Sequence, residues 1–335
     1  MGWATMSVQT DVGRRDSSSL SLAALVFGWV NLAVLAAFLI NNFLINAFGW
    51  PGTALVSPAT GTLAWVQLLL YAIAILAGAA YAWRRREVPL RLESDRITAI
   101  NNYIIRAAFW MVLTVGIVDI SISFLRIEGF MDMLLGQEMT RNLGHARFRG
   151  MYVHVPLMLL SLVVAAFTRT LGFIWLTLLI VLAELLIVFS RFLFSYEQAF
   201  MSDLVRFWYG ALFLFASAYT LIEEGHVRVD VFYASFSSRM KGVVNAIGSL
   251  TMGIVFCWTI LIFGMGGKAS IINAPLFNFE VTQSGFGMYV KYLMAGFLGI
   301  FAVSMMVQFV AYLLSALADW RGDPGGVQHE PTNVA

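Results

Sequence analysis

The sequence is short of charge. Of its 335 residues only 12% are Asp, Glu, Lys or Arg, while 60% are hydrophobic. Water-soluble domains carry about 25% charged and about 45–50% apolar residues. So few charges cannot cover the outside of a soluble fold, whereas a bilayer removes the need. The single cysteine, Cys257, rules out an internal disulfide and reads as a small buried hydrophobe. With four histidines and one cysteine, no cluster has metal-ligand spacing, and neither a metal nor any other cofactor is expected. The net charge is +2, spread over loops, which leaves no basic patch for nucleic acid. Proline is absent from the middle of every long apolar run, so the broken helices that bind coupling ions in many transporters have no sequence signal. Gly264, Gly266, Gly267 and Lys268 lack the spacing of a phosphate loop and read as a helix end.

What the sequence does hold is long apolar runs. A spanning helix needs about 20 mostly apolar residues, and eight candidates occur: about 22–48, 62–83, 104–125, 151–167, 171–192, 204–222, 243–264 and 289–316. The fold class expected is an all-α integral membrane protein of about eight transmembrane helices. The fourth run, at 17 residues, sits at the lower limit for a span. The first is too long for a signal peptide's apolar region and reads as an uncleaved anchor after a polar segment, 1–21. Segments on the N-terminal side of the membrane hold twelve Lys and Arg against six on the other, which predicts both termini in the cytoplasm of a bacterial inner-membrane protein. Residues 127–150 read as an amphipathic stretch at the membrane surface, and 319–335 as a cytoplasmic tail.

Charges at bilayer depth are costly and mark candidate sites. Asp119 lies in the third run and Glu184 near the middle of the fifth. One reading makes them a proton or sodium relay; the other makes them buried carboxyls that fix packing. Arg191 falls on the same helix face as Glu184, two turns on. His154 and His226 are the candidates for haem, but the runs place them at opposite faces of the membrane, which does not suit a bis-histidine site.

The most informative stretch is 185–245. It contains Arg191-Phe192 at the end of one run, an amphipathic connector, and Glu223-Glu224-Gly225-His226-Val227-Arg228-Val229-Asp230 at the end of the next. In an extended segment, His226, Arg228 and Asp230 would share one side and the valines the other. Arg191-Phe192, the Gly225–Asp230 string preceded by Glu224, and Lys291-Tyr292 at the start of the last run resemble, in order and spacing, the small-permease (DctQ-type) subunit of tripartite ATP-independent periplasmic (TRAP) transporters. Family members often carry Trp and Glu in the connector, where this chain reads Ala199-Phe200-Met201-Ser202-Asp203. The resemblance covers about 171–318 and implies a four-helix DctQ-like core, with 22–170 an additional region of about four helices.

The resemblance further implies a non-catalytic subunit. In that family a large, DctM-type permease carries the sodium and substrate sites and moves like an elevator. A periplasmic solute-binding protein delivers the solute, often an organic anion, and the small subunit braces the stationary part. Membrane lipid is the remaining partner expected. Two other readings stand beside this one. A self-sufficient secondary transporter would need Asp119 and Glu184 to face a water-filled cavity, and a membrane anchor would bind haem or quinone.

Overall fold

The computed structural model describes residues 19–53, 61–169, 172–196, 199–222, 233–281 and 287–325. Eight of its helices are long and apolar enough to cross a membrane. The spans are α1 (Ser19–Phe48), α2 (Thr62–Arg84), α3 (Leu90–Ile127), α5 and α6 joined as Ala146–Phe167, α7 (Phe173–Phe194), α8 (Ala199–Ile222), α9 and α10 joined as Ser238–Met265, and α12 (Lys291–Arg321). Short helices α4 (Phe130–Leu143) and α11 (Asn273–Asn278) lie between spans. The chain is an all-α, multi-pass membrane protein.

The fourth span is longer than its apolar run. Its first turn, Ala146–Arg149, is too polar to register as membrane sequence, and a π-turn over Gly150–His154 joins it to α6. Pro156 lacks an N–H for the Tyr152 carbonyl, so the hydrogen-bond ladder has a local reason to widen there. The third span also starts early, at Leu90, because Glu93, Ser94 and Asn101 find buried partners instead of water. Glu93 accepts from Arg85 Nε at 2.6 Å and from Trp29 Nε1 at 3.0 Å, which locks α1, α2 and α3 together at their arginine-rich end.

α12 is the axis of the packing. It touches α1, α3, α8, α9, α10 and α11, and its apolar window is the most buried of the eight. One apolar core gathers Leu25, Ile97, Cys257, Leu261, Val310 and Leu314. A second gathers Phe109, Val112, Ile180, Phe207, Phe215 and Phe297. At Gly242, on α9, a Cβ would stand 2.6 Å from both the Ala316 carbonyl oxygen and the Trp320 nitrogen, so only glycine lets α9 lie this close to α12. In contrast α7 is an edge helix that packs chiefly on α8 and buries Leu176, Ile180 and Ala183.

The N-terminal helices are woven into this packing rather than set beside it. α3 lies against both α8 and α12. Polar bonds tie the two halves at several levels: Arg91 to Asp319 at 2.7 Å, Ser94 Oγ to the Ala311 carbonyl at 2.7 Å, Asn101 Nδ2 to Gln308 Oε1 at 3.1 Å, and Trp258 Nε1 to Asn31 Oδ1 at 2.9 Å. Residue 170 thus divides two stretches of sequence but not two packing units.

Candidate functional site

The most elaborate polar constellation lies where α3, the α5–α6 span and the start of α12 converge, at the end of the bundle away from Arg84–Arg86. Asp119, Arg149 and His154 are all fully buried there. Asp119 Oδ1 accepts from Arg149 Nη1 at 2.9 Å and meets His154 Nε2 at 2.9 Å. Asp119 Oδ2 accepts from the Tyr289 backbone N–H at 2.8 Å. Arg149 also donates from Nε to the Leu143 carbonyl at 3.0 Å and from Nη1 to Ser123 Oγ at 3.1 Å. Its guanidinium lies 4.1 Å over the Tyr289 ring. His154 Nδ1 lies 2.7 Å from the Tyr292 hydroxyl.

The charges close on themselves. With the proton on Nε2, His154 donates to Asp119, and its Nδ1 accepts from Tyr292. Asp119 and Arg149 then cancel, which is the condition for burying two ions. The π-turn at 150–154 sits between the two basic side chains and sets the separation at which both reach the same carboxylate. Chemically the cluster is a clamp that holds three segments in register, with Arg149 bonded through Nε and Nη1 while its Nη2 is left without a hydrogen-bond partner. The bonds around Asp119 run to Arg149, His154 and Tyr289, and none runs toward Glu184. Among the described residues no group of His, Cys, Asp and Glu is placed to hold a metal.

Residues 177–319 match the family model described as tripartite ATP-independent periplasmic transporters, DctQ component. Over that stretch the chain is similar to the DctQ component of TRAP transporters. No curated protein and no solved structure matches it. The matched region begins within α7 and ends within α12, and the helices before α7 lie outside the match. The family is a transporter component rather than an enzyme family.

Inside the DctQ region the expected site residues fare differently. Arg191 stands exposed near the end of α7. Glu184 corrects an expectation: it is not buried among neighbours but exposed on the outside of the bundle, because α7 is an edge helix with one buried stripe. Glu224, Gly225, His226, Arg228 and Asp230 lie outside the described residues. Asp203, in the connector, accepts from the Met288 backbone N–H at 3.2 Å, next to Tyr289 of the clamp. Arg149 and His154 were missed as partners of Asp119. Arg149 read as a loop charge and His154 only as a haem candidate. The available signal was that a buried acid needs a cation at its own depth, and these two begin the neighbouring span.

Proposed function

We propose that the chain is the non-catalytic small membrane subunit of a sodium-coupled TRAP transporter, bracing a large DctM-type permease for uptake of a small organic anion delivered by a periplasmic solute-binding protein. The match over 177–319 carries this reading. A bracing role also suits a bundle whose buried charges are paired internally, as Asp119 is with Arg149 and Glu93 with Arg85. The arginine-rich end, with Arg84, Arg85, Arg86, Arg91 and Arg321, is assigned to the cytoplasm of a bacterial inner membrane, which puts both termini there and the clamp at the periplasmic side.

The test is assembly followed by transport. Expressed with the large permease and extracted in mild detergent, the chain should co-purify with it. Proteoliposomes should take up solute only with both membrane subunits and the binding protein present. Solute uptake by this chain alone would overturn the proposal in favour of a self-sufficient transporter.

A further inference from the structure

Glu184 is the twelfth of the 22 residues of α7, midway along a helix that spans the membrane. It is exposed, and among the described residues it has no ion-pair or hydrogen-bond partner. An acid at that depth facing hydrocarbon is costly. Its neighbours on the helix surface form a pattern. Thr177, Val181, Glu184, Val188 and Arg191 follow one another at steps of four, three, four and three residues, and all five are exposed. That is the spacing of a helix-docking seam. The seam borders the buried stripe of Leu176, Ile180 and Ala183. Farther round the same helix, Leu178, Leu182, Leu185 and Phe189 make a bulkier, wholly apolar exposed strip, which is the composition that suits lipid. The exposed surface of α7 therefore divides into a lipid-like strip and a strip of β-branched and charged residues.

We infer that the Thr177–Arg191 seam of α7 is the docking surface for a transmembrane helix of the large permease, a helix that offers Glu184 a cation or strong hydrogen-bond donor at mid-membrane depth and Arg191 an acceptor two turns farther on. The inference rests on the subunit reading above and adds where contact is made. Charge complementarity favours a different chain over a second copy of this one. Two copies inserted in the same orientation and related by a two-fold axis along the membrane normal would bring equivalent residues to equal depth, so Glu184 would meet Glu184. A helix of another chain carries no such restriction.

The test uses the full chain co-expressed with the large permease. Glu184→Leu makes α7 a better membrane helix, so insertion and the melting of the isolated subunit should hold at wild-type level. If the seam docks the permease, retention of the permease should fall about three- to tenfold, the range of one lost hydrogen bond between membrane helices. A photoreactive side chain at Val188 should cross-link to the permease, and one at Leu182 should not. Unchanged retention by Glu184→Leu, equal cross-linking from both positions, or cross-linking from Val188 to a second copy of this chain would each overturn the docking surface while leaving the subunit reading intact. A wild-type chain that retains no permease would overturn both.

Discussion

Asp119 shows what one buried charge demands of its surroundings. Its carboxylate takes three bonds, two from Arg149 and His154 of the α5–α6 span and one from the Tyr289 backbone beside α12. Removing one ion of a buried pair strands the other and costs about 3–5 kcal/mol. Arg149→Met should therefore lower the melting temperature of the detergent-solubilised protein sharply. The double variant Asp119→Asn with Arg149→Met removes both charges and should recover a clear part of the loss. A double variant no more stable than Arg149→Met would show that the pair does not clamp. Asp119 was visible in the sequence because an acid in an apolar run stands out. Its partners were not, since nothing in a linear string gives the depth of Arg149 once a polar turn precedes the apolar part of its span.

Among elements, the spans were the most legible, because the bilayer requires a length of apolar sequence that few other structures need. Irregularities within them were not. The π-turns at Gly150–His154 and Ser249–Ile254 leave composition unchanged, and the early start of α3 depends on what Glu93 meets across space. The contact of α9 with α12 can be tested through two glycines on one helix. A Cβ at Gly242 would collide with α12 backbone, whereas one at Gly248 meets nothing within 4 Å. Gly242→Ala should destabilise by about 1–3 kcal/mol, as overpacking does. Gly248→Ala should be neutral or stabilising by up to about 1 kcal/mol, from helix propensity. Thermal unfolding of the two variants side by side reads the difference, and equal effects would mean that α9 can shift without loss.

At the scale of the whole molecule, sequence suggested a core from residue 171 with extra membrane bulk in front, and the packing draws helices from both stretches into shared cores. α3 supplies Phe109, Val112 and Val115 to the same apolar core as α7, α8 and the start of α12. Asn101 and Ser94 meet Gln308 and Ala311 of α12. A chain beginning at 171 would open these contacts at once. It should fail to accumulate as a monodisperse species in detergent, and supplying residues 1–170 as a separate polypeptide should restore it. A well-behaved fragment from 171 onward would show that the DctQ region is self-contained. Sequence comparison could not reveal this, because a family match reports which residues resemble others and not which of them share a core.

The central place of α12 has a consequence for how the protein comes into being. The helix that the others surround is made after the other seven described spans. Seven spans enter the membrane first, and the carboxylate of Asp119 can find Arg149 within the first four of them. The Tyr289 N–H and the Tyr292 hydroxyl arrive only with α12. Until then the second core lacks Phe297, and Gly242 has nothing to lie against. The nascent chain must wait in lipid for the 31 residues of α12. A premature stop ahead of Lys291 would leave a nearly complete set of membrane helices with an empty middle, a form that the proteases guarding the membrane are equipped to remove.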